Sequence, residues 1–339
     1  MSRIFIRGCG AVSPAGWGIN ALMQALDNRP DLPTQPLAAP GRNFSVRTVP
    51  VPNPRPACLA HPRLRRASAI SQYATAAAIE ALGSPGSSPA RTPNRLGIVV
   101  GVHAASIRYS EKFFAEVLRD AATASPLLFP ETVINAPASH LAANLASTHL
   151  TYSVLGDQTA FFQALLVAAG WLATNRADTV LAIAAEETAW TVSATANFFS
   201  KDVICSEGAG ALCLTREPGD NAVELNAITD PAVFTNHDRR RAANQIASQF
   251  LPGAPDQLLC DSRTGSRRWD SVETQAWRNW RGPTLSPRQI VGEALSAATA
   301  WQFIAATERL RAGAAKSAII SAAGSNHQAI AAQLRRVDE

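Results

Sequence analysis

The chain has 339 residues, of which 47% are hydrophobic and 17% are charged. This composition is typical of a globular protein with a sizeable core, and it excludes an intrinsically disordered chain. The formal net charge of +5 is too small and too dispersed for a nucleic-acid groove, and it suits an acidic protein partner instead.

The alternation of apolar and polar residues predicts strands interspersed with helices. In chain order these are a strand over 3–8, a helix over 18–28, an irregular proline-rich stretch over 29–62, a helix over 67–82, a strand over 95–101, a helix over 106–121, strands over 179–187 and 208–216, a strand over 223–229, a helix over 238–250, a strand over 257–261, a helix over 288–311 and a strand over 317–323. This order is typical of a mostly parallel sheet that is covered on both faces. Because the second part repeats the alternation of strands and helices in the first, we expect a duplicated α/β architecture with halves 1–220 and 221–339.

Cysteine usage and hydropathy predict an intracellular protein. The five cysteines are widely spaced, and no Cys-x-x-Cys pair or zinc-type spacing occurs. We therefore expect small buried thiols in a reducing compartment, with no metal site. The N-terminus lacks the uninterrupted apolar core of a signal peptide, and no segment reaches the roughly 18 apolar residues of a membrane span. A soluble, cytoplasmic location is expected.

A turn near the middle of the chain lacks the residue types that act as nucleophiles. Residues 154–170 read VLGDQTAFFQALLVAAG, which predicts a strand end, a turn and a helix. A helix N-terminus stabilises an anion, so a nucleophile is often placed at such a turn. This turn instead holds Gly156, Asp157, Gln158 and Thr159.

The order of the segments resembles that of the β-ketoacyl synthases of the thiolase-like fold over nearly the whole chain. The similar stretches are IRGCGAVSPAGWGINALMQAL (6–26), ASAISQYATAAAIEAL (67–82), RLGIVVG (95–101), FPETVINAPASHLAANL (129–145) and SEGAGALCL (206–214). The resemblance rests on the ordered set rather than on any one stretch. It implies an α/β protein with a thiolase-like, duplicated αβαβα layered fold and mostly parallel sheets.

The resemblance places unsuitable side chains at the three catalytic positions of these enzymes. Gln158 stands where active synthases carry a cysteine, and a carboxamide is not acylated as a thiolate is. Ser262, in SRTGSRRWDSVE, and Glu293, in RQIVGE, stand at the two histidines, with Arg288 at the lysine. Decarboxylation is also disfavoured, because the donors that stabilise an enolate are missing and Glu293 adds negative charge.

A synthase-like subunit that carries Gln at the cysteine and pairs with an active synthase is a chain-length factor. We therefore expect a catalytically silent subunit that needs no cofactor and forms a heterodimer with an active β-ketoacyl synthase. It would shape the elongation tunnel for a polyketide, aryl-polyene or fatty-acid-like chain. An acyl carrier protein is a further expected partner, through the synthase. The run Arg239–Arg241 is either a solvated helix face or a docking point for that carrier.

The resemblance also predicts where the partner subunit binds. Segments 129–144 and 151–165 are expected to form the interface, with Thr132, Ile134 and Asn135 as candidate contacts. Such obligate contacts are large and apolar.

Two aromatic residues follow the turn where synthases use small ones. Phe161 and Phe162 either pack in the core, as large aromatics usually do, or border the tunnel, for which Phe161 is the better candidate. Gln158 similarly either satisfies backbone groups at the helix start or acts at the interface.

Two other functions stay open from the sequence. A diverged enzyme, hydrolase or decarboxylase-like, would use Ser262, Glu293 and Asp261, although a serine without an obvious base is weak evidence for hydrolysis. A homodimeric scaffold without a tunnel is the other possibility.

Overall fold

The computed structural model describes residues 3–83, 93–235 and 238–337. The strands are β1 Phe5–Ser13, β2 Gly16–Trp17, β3 Gln35–Ala39, β4 Arg42–Arg47, β5 Leu96–Val102, β6 Thr151–Leu155, β7 Thr179–Glu186, β8 Cys205–Ser206, β9 Gly208–Thr215, β10 Val223–Ile228, β11 Ala232–Val233, β12 Gln257–Cys260, β13 Thr284–Leu285, β14 Ser317–Ala323 and β15 Gln328–Arg336. The helices are α1 Ile19–Asn28, α2 Ala69–Ala81, α3 Ile107–Arg119, α4 Phe129–Thr132, α5 Ala136–Asn144, α6 Ala160–Ala173, α7 Trp190–Phe199, α8 Arg239–Ala247, α9 Arg267–Ala276, α10 Pro287–Val291 and α11 Leu295–Arg311. Two short 3₁₀ turns cover Ala57–Ala60 and Pro62–Arg65.

The main sheet contains the same strand order twice. Its order is β13-β12-β14-β15-β10-β1-β9-β7-β5-β6. The first set is β1-β9-β7-β5-β6 and the second is β10-β15-β14-β12-β13, and in each set the first strand of the chain lies beside the last. The two sets meet where β1 pairs antiparallel with β10. The parallel pairs lie toward the two ends, around β5 and β12, while the strands in the middle run antiparallel. The boundary expected at residue 220 lies in the connection between β9 and β10.

Helices separate and cover the two sets of strands. The middle layer is α6 and α11, and α11 contacts strands of both sets. Helices α2 and α5 cover the outer face of the first set, whereas α8 and α9 cover that of the second. This is the αβαβα layering that the resemblance implies.

Small residues let α2 pack closely on the first strand. A Cβ atom at Gly10 would lie 1.9 Å from the carbonyl oxygen of Ala77, so only glycine fits there. The small residues of α2, whose sequence is AISQYATAAAIEA, allow this backbone-to-backbone contact.

The prediction of a single helix over 288–311 is wrong. The structure breaks it into α10 and α11 at Gly292, whose φ is +93°. A Cβ atom at this position would lie 2.8 Å from that of Ser206. Glu293 leaves the helical path because its backbone pairs with a neighbouring segment: its N–H donates to Ile204 O and its carbonyl accepts from Ser206 N. A local sequence pattern does not predict this long-range pairing.

Candidate functional site

Gln158 lies at the start of α6, directly after the end of β6, as the sequence predicts. Its side chain is buried at 2% exposure. The carboxamide oxygen accepts a hydrogen bond from the backbone N–H of Ser325 at 3.0 Å. The backbone carbonyl of Gln158 accepts from the Thr299 hydroxyl at 2.5 Å. Both bonds cross from the first half of the chain to the second.

The residues on either side of Gln158 tie the same turn to the same loop. Asp157 accepts from the N–H and hydroxyl of Thr159 at 2.9 and 2.7 Å, which closes the turn before the helix. Its other oxygen accepts from Asn326 N at 3.3 Å. The Thr159 hydroxyl accepts from the Gln328 amide at 2.7 Å. The turn thus holds the 325–328 segment with its side chains.

Glu293 is neutralised by a buried arginine. Arg288 Nη1 donates to Glu293 Oε2 at 2.6 Å, and the two side chains are 1% and 3% exposed. Arg288 Nη2 donates to Thr299 Oγ1 at 2.7 Å and to Gln302 Oε1 at 3.0 Å. Glu293 Oε1 accepts from the N–H of Leu295 at 2.6 Å. Since Thr299 also bonds to the carbonyl of Gln158, one chain of hydrogen bonds joins two of the three positions that the resemblance matches to catalytic residues.

Ser262 is directed to a different carboxylate. Its N–H and hydroxyl both donate to Glu273 Oε2, at 3.1 and 2.6 Å. The hydroxyl of Ser321 donates to the other oxygen at 2.9 Å. Burial, and then the nearby charge of Asp261, raise the pKa of Glu273 to about 7. Ser262 therefore stabilises a buried carboxyl group.

The structure does not bring together the polar side chains that a diverged hydrolase or decarboxylase-like enzyme would use. Asp261 accepts from Ser286 Oγ at 2.6 Å and forms an ion pair with Arg263 at 2.7 Å. In the described ranges, Asp261, Ser262 and Glu293 make no hydrogen bond to one another. Each has its own partners, so the geometry gives no support to a hydrolase or decarboxylase built on these three residues.

A largely apolar cavity of about 480 Å³ lies beside the turn. Gln158 and Glu293 line it, whereas Ser262 does not. The other lining residues are His103, Ala104, Ile107, Thr191, Val192, Thr195, Ala196, Phe199, Val203, Cys205, Trp269, Leu295, Ser325 and Asn326. Helix α7 supplies the largest share of this wall.

Sequence reasoning missed His103 and Cys205 in this cavity. His103 follows β5, and its Nδ1 donates to the carbonyl of Gly156 at 2.8 Å, which leaves Nε2 as an acceptor. In the described part of the chain, no hydroxyl or thiol hydrogen-bonds to this ring. Burial raises the pKa of the Cys205 thiol to about 12, so it stays protonated and is a poor nucleophile. In the sequence, only the position of His103 directly after an apolar strand could have indicated that it belongs to a site.

Phe161 and Phe162 are core residues, which is the packing alternative. Both are fully buried. They contact Phe303 of α11 edge-to-face, with ring centroids 5.4 and 5.1 Å away. Neither lines the cavity. Phe161 thus packs into the layer between α6 and α11, and its role beside a tunnel stays a prediction.

The expected partner face carries exposed apolar side chains. Ile134 is 43% exposed and Asn135 is exposed, while Thr132 is half-buried and donates to Phe129 O at 2.8 Å. The segment 156–165, in contrast, is mostly buried. The outer part of the predicted interface is thus at the surface, and its inner part belongs to the core.

Several other groups have structural partners. Arg239 donates to the carbonyls of Ala323 and Gly324 and lies over the Trp269 ring, so it is not part of a solvated face. All five cysteines are buried and free. Within the described ranges, no group of three His, Cys, Asp or Glu side chains is arranged to hold a metal ion, and no helix is long and apolar enough to cross a membrane.

Comparison with known proteins identifies the fold. No protein-family model and no curated protein matches the chain. Among solved structures, the ishigamide ketosynthase/chain length factor is 18% identical with a TM-score of 0.83, covering 99% of this chain and 100% of that one. A β-ketoacyl synthase from Burkholderia phymatum is 17% identical with a TM-score of 0.82, covering 100% of both. The AntDE:AntF structure, a type II polyketide synthase acyl-carrier protein in complex with its ketosynthase, is 18% identical with a TM-score of 0.77, covering 99% of both.

These similarities extend over the entire chain, and they agree with the layering and with the duplicated strand order. The chain therefore has the thiolase-like fold of the ketosynthases, and the fold implied by the sequence resemblance is confirmed.

Proposed function

We propose that this chain is a catalytically silent, chain-length-factor-like subunit that forms a heterodimer with an active β-ketoacyl synthase. The observation that carries the proposal is an exposed apolar surface that lies next to a turn without a nucleophile. One of the structures of similar fold is described as a ketosynthase/chain length factor, which supports the same assignment.

The silent turn follows from the contacts of Gln158. Condensation needs a nucleophile that accepts an acyl group, and a carboxamide already bonded to Ser325 N does not supply one. Glu293 is held by Arg288, and Ser262 is held by Glu273. None of the three vestigial positions is free to take or give a proton on a substrate.

The apolar surface is formed by contiguous elements. Helix α3 buries none of its residues, and it exposes Phe114 and Leu118 at 62% and 72%. Phe113 of the same helix contacts Phe129 of α4, with ring centroids 5.6 Å apart. Helix α5 connects α4 to β6. A continuous apolar patch of this kind is unusual on a monomer and marks an interaction site.

Strand β6 adds a free sheet edge to this surface. It lies at the end of the main sheet, and within residues 3–83, 93–235 and 238–337 it pairs only with β5. Tyr152 and Leu155 are 55% and 57% exposed. An open strand edge with apolar side chains is a template for pairing with another chain. Pairing of β6 with the same strand of a synthase would join the two sheets across the heterodimer.

The proposed tunnel lies at this interface. Besides Phe161 and Phe162, which lie in the core, the side chains that α3 exposes are candidates to border a growing polyketide-type chain. An acyl carrier protein would deliver that chain to the active synthase.

Co-expression with an active β-ketoacyl synthase from the same genome tests the proposal. The wild-type pair should co-purify, and Ile134→Arg should abolish co-purification because a buried unpaired charge typically costs several kcal/mol. Val233→Arg is the matched control, since Val233 is 55% exposed on β11, away from this surface. Equal co-purification of both variants would contradict the proposed interface, and an active isolated chain would contradict the silent assignment.

A further inference from the structure

A second cavity, separate from the apolar one, lies between the two halves of the chain. It has a volume of about 430 Å³, and among its lining residues only Pro30 and Ile290 are apolar. The segment after α1 and the end of β4 form one wall, whereas β13, α10 and the loop after β12 form the other. Because Arg29, Arg47 and Arg263 all line this space, we call it the arginine cavity.

Arg47 is the buried charge of the arginine cavity. The residue is 7% exposed, and its guanidinium donates to two neutral carbonyls, from Nε to Leu32 O at 3.2 Å and from Nη1 to Ile290 O at 2.9 Å. In the described part of the chain, its one carboxylate partner is Asp31, at 3.4 Å from Nη2. The Asp31 side chain is fully exposed, so water screens this pair. A buried charge is costly without a close counter-charge, and the charge of Arg47 is therefore incompletely compensated.

Arg263 is held in place by a carboxylate behind it. Its Nε and Nη2 donate to Asp261 Oδ2 at 2.8 and 2.7 Å. Asp261 is buried and does not line the cavity, whereas the Arg263 side chain remains 28% exposed. Within the ranges that the structure describes, Nη1 of Arg263 has no hydrogen-bond partner. This guanidinium therefore has a fixed position and an unused donor.

The guanidinium of Arg29 has no partner among the described residues. Arg29 follows α1, and its backbone N–H ends the helix by donating to Ala25 O at 2.9 Å. Its side chain is exposed and forms no hydrogen bond or ion pair in the part of the chain that the structure describes. Asp27, the acidic residue of α1, is paired with Arg309 instead. The three arginines therefore line the cavity with Asp31 as the one acidic residue of its described lining.

Two neutral side chains add unused donors on the opposite wall. Thr284 and Gln289 line the cavity and are exposed, and over the described ranges their side chains make no hydrogen bond. A hydroxyl and a carboxamide both form hydrogen bonds with the hydroxyl groups of a ligand. None of the described lining residues is aromatic, so the cavity offers no ring on which a nucleobase would stack.

We propose that the arginine cavity binds the phosphate group of a small hydroxylated phosphomonoester, of the sugar phosphate class. Such an ester carries close to two negative charges at neutral pH, which matches three lining arginines against one acidic residue. Guanidinium groups form paired hydrogen bonds with phosphate oxygens. The volume of about 430 Å³ lies within the range of small-molecule sites, so the esterified group has room beside the phosphate, and the polar lining disfavours an acyl chain. The proposal is independent of the proposed function, because no lining residue belongs to α3, α4, α5 or β6.

Isothermal titration calorimetry of the full-length chain with glucose 6-phosphate, at constant ionic strength, tests the proposal. The wild-type chain should show saturable binding, whereas glucose, which lacks the phosphate, should not bind. Arg29→Gln and Arg263→Gln should each weaken binding by about tenfold, because each removes charge-assisted hydrogen bonds to the phosphate. Arg240→Gln is the matched control, since Arg240 is exposed on α8 and forms no ion pair with the described residues, and it should bind within about twofold of wild type. Arg29→Gln breaks no internal contact, and its thermal unfolding midpoint should equal that of the wild type.

Three outcomes would overturn the proposal. The first is the absence of saturable binding of glucose 6-phosphate to the wild-type chain. The second is an affinity of Arg29→Gln and Arg263→Gln equal to that of the wild type or of Arg240→Gln, which would place binding elsewhere. The third is binding of inorganic phosphate or of AMP that is at least as tight as that of glucose 6-phosphate, which would exclude the assigned class of ligand.

Discussion

The buried ion pair between Arg288 and Glu293 provides the sharpest test of the site geometry. Glu293→Gln removes the negative charge but keeps the size of the side chain. Arg288 then remains buried at 1% exposure with only the neutral oxygens of Thr299 and Gln302 and of the new amide as partners. Among the residues that the structure describes, its Nε has no hydrogen-bond partner, so no spare contact compensates the loss.

The size of the effect follows from the distance and the burial. Two unit charges at 2.6 Å attract by about 6 kcal/mol at an effective dielectric constant of about 20. Most of this attraction is offset by the cost of removing both charges from water. Removal of one partner leaves the other charge buried and uncompensated, which costs about 3–5 kcal/mol. We expect a loss of about 3 kcal/mol in the free energy of unfolding.

Equilibrium urea unfolding at neutral pH measures this loss. Asp256→Asn is the matched control, because the Lys316–Asp256 pair is exposed, at 81% and 50%, and exposed pairs contribute little. The double variant Arg288→Met/Glu293→Gln should recover most of the stability, since it leaves no buried charge. A loss no larger than that of Asp256→Asn, or no recovery in the double variant, would refute the reasoning.

Three further predictions follow from the core and from the buried acids. Phe161→Ala and Phe162→Ala should each lower the free energy of unfolding by about 3–5 kcal/mol through the cavity they leave, whereas Phe114→Ala at the surface should not; urea unfolding measures all three, and stable Phe161 and Phe162 variants would contradict core packing. Burial raises the pKa of Glu187 from 4.5 to about 7, so its contribution is most stabilising below about pH 4.5 and is lost as the pH rises through about 7. Glu187→Gln should therefore gain stability relative to wild type between about pH 5 and pH 8, and a constant difference in unfolding free energy over that range would contradict the raised pKa. All five cysteines should resist alkylation by iodoacetamide in the folded chain and react in urea, as mass spectrometry would show; rapid native labelling of Cys205 would mean that the cavity exposes its thiol.

Local patterns in the sequence predicted a duplicated α/β protein with a covered sheet, whereas the αβαβα layering was expected from the resemblance. Apolar runs and helical stretches in the right order indicate an α/β protein with a repeated arrangement. Among the features that were missed, two depend on pairing with distant segments. β15, Gln328–Arg336, is rich in alanine and has little intrinsic strand preference, so its pairing with β10 and β14 decides its structure. The break at Gly292 is imposed by pairing with the 204–206 segment.

For the candidate site, the sequence predicted only which residues differ from the catalytic residues of the synthases. The positions of Gln158, Ser262 and Glu293 follow from their places in quoted motifs, but their partners do not. Glu273 is eleven residues from Ser262, whereas Ser325 is more than 160 residues from Gln158. The direction of Phe161 depends on Phe303, which belongs to the other half of the chain. Such contacts require the fold to be known.

The length of the glutamine side chain explains its presence at the turn better than space filling does. Its carboxamide reaches the backbone N–H of Ser325, while Asp157 and Thr159 reach Asn326 and Gln328. Three consecutive side chains of the first half thus hold one loop of the second half. A cysteine at this position would not replace the bond to Ser325 N, since its sulfur is a weaker acceptor than the carboxamide oxygen and its side chain is shorter. At this turn, the glutamine that stands in place of a nucleophile also supplies a bond between the two halves, as expected of the catalytically silent subunit that we propose.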